Sequence, residues 1–460
     1  MTKLTQKQQE LFDALHNSRT EDYKVFSKRD YGGLFRSVID KYPESAHFVY
    51  ELLQNADDAN ATEVSIILRD DSLLFKHNGT KRFNVTPVED DETGDINSIT
   101  GIGNSTKKDK HNSIDDTQNK IGKFGVGFKA VFQYTDTPEI YDDVFKFKIE
   151  NYIIPTLLNN DSPERKEGET LFIFRFPQAK RKKAYEEIKN RLLNLQNPIL
   201  FLRHLKKISW KMETSKTKVS EEMIYAKERL SSRKCDDISM EKYHLVTPKE
   251  TNSIFLFSRN VVVTDSEGER SNHPIYIGFF YDEGKKKLIT KRCNIHCFFP
   301  TKETFKTCFI SHAPFLLTDN RQNIKQDENL NKDLLKLLAD LAAESIVLLR
   351  DFGVSTNNLL INENITKIVP VYQYYNYYWE GTNDPLFEKP IIDAFENLLK
   401  TEPLFLSRDN KYLLPTNAYT TPKSVFELLD SLQFQQQLIC FLSMYIHPQQ
   451  LYILLFRLFF

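Results

Sequence analysis

The stretch ELLQNADDA at residues 51–59 puts packing groups and chemical groups on opposite sides of one predicted helix. At 100° per residue, Glu51, Asn55 and Asp58 fall within about 60° of one another, while Val49, Leu52, Leu53 and Ala56 fall on the other side. One face is suited to a core. The other carries a carboxylate able to polarise a water and, at Asn55, a neutral oxygen ligand suited to a hard cation such as magnesium. Taken alone, the segment also reads as an ordinary solvated amphipathic helix.

The chain around it has 460 residues, enough for about three domains each with its own core. Its 62 basic and 63 acidic residues nearly cancel, so net charge gives no argument for a nucleic acid or an anionic membrane as partner, although local basic runs such as 180–183 remain candidate contacts. The N-terminal TKLTQKQQELF lacks the apolar core of a signal peptide, and a cytoplasmic location is expected. Five cysteines form neither a disulfide framework nor a paired CxxC site. CNIHC at 293–297 suggests a metal, but 288–299 reads as a strand in which His296 points away from Cys293 and Cys297, so these are read as core cysteines. The tail LYILLFRLFF is too short to span a bilayer and contains Arg457; it reads as a packed helix end or as the stump of a longer protein.

Along the chain, a first helix and a polar arm lead to Gly32 and Gly33, and Pro43 precedes Glu44 and Ser45, which open the helix carrying the acidic stripe. Residues 62–68 alternate as a strand, and 72–76 form its neighbour before the turn His77, Asn78, Gly79. Residues 104–119 are polar and lysine-rich, a loop of a length that is usually functional or disordered. IGKFGVGFKAVF follows, with Gly122, Gly125 and Gly127 opening an apolar helix whose amides can approach a phosphate. This GxxGxG spacing is neither the Rossmann fingerprint nor a Walker A loop, and a glycine-rich turn without a ligand fits it equally well. A buried strand at 168–177 closes the region.

Residues 179–200 read as a connecting helix, followed by strands at 253–257, 275–280 and 288–299 and a long helix at 330–349. Beyond 351 lie helices and aromatic-rich loops. The cluster VYQYYNYYW at 371–379 reads as surface packing or a partner patch, with base stacking as the alternative.

The order of acidic-stripe helix, strand, glycine turn, polar loop, GxxGxG helix and closing strand resembles the GHKL ATPase superfamily. This is the Bergerat ATP-binding fold shared by type II topoisomerase subunits, MutL, sensor histidine kinases and the ninety-kilodalton heat-shock chaperone. The strings AHFVYELLQNADDA and GIGNSTK…IGKFGVGFKAVF are similar to those of its sacsin-type branch, and the likeness covers about residues 35–178. It implies an α+β chain: an N-terminal helix and arm (1–34), a Bergerat α/β sandwich with a mixed sheet and helices on one face (35–178), an α/β middle domain (179–350) and a mostly helical, aromatic-rich C-terminal region (351–460).

On this resemblance Glu51 takes the place of the general base and Asn55 that of the magnesium ligand bridging the phosphates of ATP. Asp58 supports the pocket beneath the nucleotide. Gly122, Gly125 and Gly127 donate amides to phosphate, the 104–119 loop closes as a lid, and Ser105, Thr106, Lys107 and Lys123 are the lid-side phosphate contacts. Thr170 matches the strand residue that helps hold adenine through water, and Gly79 the turn glycine. APFLLTDNRQNI at 313–324 looks like the chaperone's middle-domain loop that delivers an arginine to the terminal phosphate, which makes Arg321 catalytic, with Gln322 or Asn323 assisting.

Two positions depart from the superfamily pattern. His77 stands where an aspartate accepts from the adenine amino group, and Lys81 replaces a second glycine. Neutral imidazole accepts through one nitrogen only. The resemblance implies a cytoplasmic, slow, magnesium-dependent ATPase acting as a nucleotide-gated clamp, with a protein client and a homodimer as expected partners. The alternatives are a regulatory module of a bacterial defence or DNA-processing system gating an effector subunit, and a non-hydrolysing nucleotide sensor or scaffold. A histidine kinase is not expected, since no phosphoacceptor helix pair is seen, nor a topoisomerase, since no cleavage domain is.

Overall fold

A computed structural model describes residues 4–27, 48–89, 94–101, 128–213, 220–264, 270–305, 307–318, 322–362, 364–368, 385–407 and 409–417. The first helix, α1 (Gln6–Phe26), starts at a capping box in which Thr5 Oγ1 accepts from Gln8 N and Gln8 Oε1 accepts from Thr5 N. The helix α2 (Phe48–Asp58) carries the acidic stripe. Ten of its eleven residues, Phe48 to Asp57, are buried, polar as well as apolar, so it is not a solvated amphipathic helix.

The strands β1 (Glu63–Arg69) and β2 (Ser72–His77) pair antiparallel, and β6 (Thr170–Arg175) lies antiparallel on the far side of β2 with His77 opposite Thr170. Three shorter strands, β3 (Glu139–Tyr141), β4 (Lys146–Glu150) and β5 (Ile154–Leu157), extend the sheet beyond β6. In β2 and β6, Leu73, Phe75, Phe172 and Phe174 join the core that also takes in α1 and α2. Ile67, Leu74, Leu171 and Ile173 cluster separately with Tyr141. Period-two alternation therefore gives the sheet two apolar sides, with the helices on one of them.

After helix α4 (Arg181–Leu193), strand β7 (Lys207–Glu213) pairs in parallel with β1, and Trp210 is sealed in the first core. The sheet then continues antiparallel through β8 (Met223–Cys235), β9 (Ile238–Val246), β10 (Thr251–Thr264) and β11 (Arg270–Asp282). It ends at β15 (Ile310–His312), β13 (Ile295–Cys297) and β14 (Phe299–Pro300), with β12 (Lys287–Leu288) as a branch on β11. Fifteen strands of the described residues thus form one mixed sheet. A second core gathers β10 and β11 with the long helix α5 (Asn329–Ser355) and helix α7 (Pro385–Thr401). Between β2 and β3 lies α3 (Asp95–Thr100), and α6 (Ile365–Ile368) follows α5.

The structure corrects one expectation and sharpens two. The run 288–299 is not one strand: it is broken into β12, β13 and β14, and Phe298 at φ 61° turns the chain between the last two. Of the predicted apolar helix after the glycine-rich segment, Phe128–Gln133 is a 3₁₀ helix, and Gly122, Gly125 and Gly127 lie outside the described residues. Cys293 and Cys297 form no disulfide and are half-buried; Cys293 packs at the edge of a small core, and Cys297 Sγ donates to Phe315 O at 3.5 Å. The aromatic run 371–379 and the tail 451–460 lie outside the described residues. No described helix is long and apolar enough to cross a membrane.

Burial pushes His77 down to about 3, His296 to about 4 and His312 to about 3. Unfolded imidazoles titrate near about 6.5. Between those values the unfolded chain binds more protons than the folded one, so stability is fully present above about 6.5 and is lost as pH falls. The expected result is a lower urea midpoint at about pH 5 than at about pH 7.5, with a shallower pH dependence in His296→Leu.

Candidate functional site

Helix α2 holds Glu51 and Asn55 at 3% and 7% exposure, with half-buried Asp58 in its last turn. Asn60, at φ 59°, then reverses the chain into β1. The HNG turn that follows β2 is laced to this helix end. Asn78 Oδ1 accepts from Thr62 N and Glu63 N at 2.9 Å each, and Asn78 Nδ2 donates to Thr62 Oγ1 at 2.8 Å. Thr80 N donates to Ala59 O at 2.9 Å. Gly79 sits so close that a Cβ there would lie 2.8 Å from Ala59 O and 2.8 Å from His77 Nδ1. The turn is thereby bonded to the C-terminal end of α2 and the start of β1, with Thr170 buried across the β2–β6 ladder from His77.

His77 is buried, and Gly79 N donates to its Nδ1 at 3.1 Å. Burial, helped by the nearby Arg82 charge, lowers its pKa to about 3, so the ring is neutral in ordinary buffers. A neutral ring that accepts at Nδ1 carries its proton on Nε2. Toward a ligand His77 is therefore a donor, the reverse of a carboxylate at the same position.

Several residues that shape the site were not foreseen. Arg82 donates to Gly79 O and to Gly168 O and pairs with Asp143 at 2.9 Å, joining the turn to the start of β6. Asp142, fully buried, accepts from Phe83 N, Val144 N and Phe145 N at 2.6–2.8 Å. Lys129 is buried, donates to Ile99 O at 2.8 Å and Tyr152 O at 2.6 Å, and is pushed down to about 7 by burial, with a smaller effect from Arg19. A lysine inside the apolar run FKAVF was the available signal for it.

Ser105, Thr106, Lys107, Gly122, Lys123, Gly125, Gly127 and Arg321 lie outside the described residues. The stems on either side of Arg321 are described and tightly bonded. Leu317 bridges Ile324, Thr318 N donates to Asn323 O at 2.9 Å, and Lys302 N donates to Gln322 O at 2.8 Å. Buried Asn331 accepts from Leu316 N and donates to Leu316 O and Lys325 O. This base lies far from α2 in sequence and follows β15, a strand of the same continuous sheet that carries β1 and β2.

Residues 28–145 match the sacsin domain family. Protein NO VEIN of Arabidopsis thaliana is 24% identical over 340 residues, covering 66% of this chain and 11% of the plant protein. Human sacsin is 31% identical over 144 residues, 28% of this chain and 3% of sacsin. A putative type II restriction enzyme, HgiDII of Herpetosiphon aurantiacus, is 32% identical over 100 residues, 22% of this chain and 15% of that protein. The chain thus spans only a small part of the length of the relatives it matches. Residues 28–145 are sacsin-like; they include Glu51, Asn55, Asp58, His77 and Gly79, whereas Thr170 and Arg321 fall outside them.

Proposed function

We propose that this chain binds ATP in a GHKL-type Bergerat pocket and hydrolyses it slowly with magnesium, as a sacsin-like, nucleotide-gated clamp. The observation that supports the reading is that α2 buries polar side chains beside apolar ones while its C-terminal end is bonded to the HNG turn, both within the sacsin-like stretch. A buried carboxylate and amide on an otherwise packed helix are costly unless they serve a ligand or a network.

The donor set suits magnesium delivered with phosphates. That ion commonly takes one or two protein oxygens and completes its shell with phosphate and water. Among the described residues no three His, Cys, Asp or Glu side chains gather as a cage, while Asn55 offers the single amide oxygen such an ion needs. When bound, the ion would offset phosphate charge. Glu51 then orients the attacking water and takes its proton. Asp58 supports the pocket floor, Thr170 lines the base side, and the amides of Gly122, Gly125 and Gly127 with Ser105, Thr106, Lys107 and Lys123 hold the phosphates. Arg321 completes the site from the second half of the chain. Because two distant segments must assemble, turnover is slow and linked to domain movement. His77 donates to the base, so adenine is held through a ring acceptor and not through its amino group.

The partner on this reading is a protein client, with a homodimer as the working assembly. The likeness to a protein named as a restriction enzyme favours, as second reading, an ATPase module that regulates a defence or DNA-processing effector. Single-turnover hydrolysis of Mg-ATP by wild type and Arg321→Ala tests the core of the proposal. The expected result is tight binding by both and about a 100-fold slower step in the variant. Stimulation of turnover by DNA would select the second reading, and suppression of client aggregation the first. Absence of any nucleotide binding would end both.

A further inference from the structure

Asp57 sits on α2 between Asn55 and the helix end, yet it faces away from the proposed pocket chemistry and is 1% exposed. Its Oδ2 accepts from Arg203 N at 2.9 Å, and its Oδ1 accepts from His204 N at 2.7 Å and Leu205 N at 2.9 Å. Three consecutive amides on one buried carboxylate fix a loop as a helix N-cap does, but across 146 to 148 residues of sequence. From the other side half-buried Lys227 donates to Leu200 O and Leu202 O. The backbone of 200–205 is thus held by opposite charges, its amides by α2 and its carbonyls by β8.

The side chain projecting from this held loop is Phe201. Its ring stacks on His312 of β15 at 4.7 Å and 29°, and also meets Tyr276 and His296 at 5.6 and 5.2 Å. His312 Nδ1 lies 3.1 Å from Phe298 N, in the left-handed corner between β13 and β14. The next residue, Phe299, stacks on Tyr50 at 4.3 Å and 28°. Tyr50 is the neighbour of Glu51. The contacts therefore close a circuit: from Asp57 through 203–205, Phe201, His312, Phe298 and Phe299 back to Tyr50 on the same helix.

We infer that this circuit clamps α2 to strand β15, making Asp57 and Tyr50 positioning residues that set the orientation of Glu51 and Asn55 and report it to the second half of the chain. The two anchors, seven positions apart, bracket both functional side chains, so a tilt of α2 strains one end of the circuit or the other. Five residues beyond His312 the chain enters the Leu317–Ile324 stem, so whatever moves β15 moves the base of that loop. The inference about function rests on the reading of α2 as the nucleotide helix; the clamp itself does not.

The test uses the full chain with Asp57→Asn, which withdraws one acceptor, and Phe201→Leu, which keeps the loop apolar and touches neither α2 nor the 203–205 amides. Hydrogen exchange is measured first without nucleotide. Each variant is expected to speed exchange about tenfold or more at both 310–312 and 48–58. If Phe201→Leu leaves the α2 amides at the wild-type rate, the clamp is overturned, and this variant carries the result should Asp57→Asn fail to fold. With Mg-ATP, Asp57→Asn should slow single-turnover hydrolysis about tenfold while changing ATP affinity less than about threefold, the split expected of a positioning role. Equal losses in both would overturn that role. A wild type that binds no ATP would remove the nucleotide reading alone, leaving the exchange measurement to decide the clamp.

Discussion

Glu51→Gln is expected to bind Mg-ATP with near wild-type affinity and to hydrolyse it about 10²- to 10⁴-fold more slowly. The substitution preserves shape and removes only the ability to accept a proton. Glu51 is buried on a helix that already holds the neutral amides of Gln54 and Asn55, so an amide at 51 is compatible with this environment. The fold should therefore hold while the chemical step collapses. The discriminating measurement is pre-steady-state: a filter-binding or fluorescence titration for affinity beside a quenched single turnover. Retained hydrolysis would move the general base elsewhere or leave the chain a nucleotide sensor, and loss of binding together with hydrolysis would place Glu51 in ligand recognition instead.

Much of this site is written locally. The helical stripe, the alternation of β1 and β2, the HNG turn and the apolar run of β6 are each set by neighbours in sequence, and they assemble with His77 opposite Thr170 because register follows from which faces are apolar. What was not legible is long-range or unusual in backbone. Asp57 carries no signal in the sequence, because its partners, the amides of 203–205, lie far down the chain and backbone groups leave no mark there. The ribbon of β8 was missed since most of that strand is exposed and polar, LSSRKC carrying no alternation to detect. The turn that separates β13 from β14 within 288–299 depends on one phenylalanine at positive φ, a conformation that apolar patterning cannot announce. The parallel pairing of β1 with β7 likewise joins two halves that local signals treat as separate.

Gly79→Val should disable the pocket by a different route, through sterics at the seam between turn and helix. Two of the three atoms that a Cβ would meet belong to Ala59, its carbonyl oxygen at 2.8 Å and its Cβ at 2.9 Å, and neither is the movable end of a long side chain. The third is His77 Nδ1 at 2.8 Å, the atom that accepts from Gly79 N. The turn must then lift away from α2, which strains the Thr80 N to Ala59 O bond and frees the His77 ring from the tautomer its partner imposes. Overpacking of this kind costs about 1–3 kcal/mol, and a branched side chain belongs at the upper end. Nucleotide affinity should fall about tenfold or more, since about 1.4 kcal/mol is one decade. Gly168 supplies the control. It sits at φ 82°, and a Cβ there would meet nothing within 4 Å, so Gly168→Ala is opposed by backbone conformation alone, by about 1–2 kcal/mol. Thermal melts and nucleotide titrations on the two variants should separate accordingly: both are destabilised, but only Gly79→Val loses affinity, because only there does the strain fall between the end of the acidic helix and His77, the residue proposed to face the base.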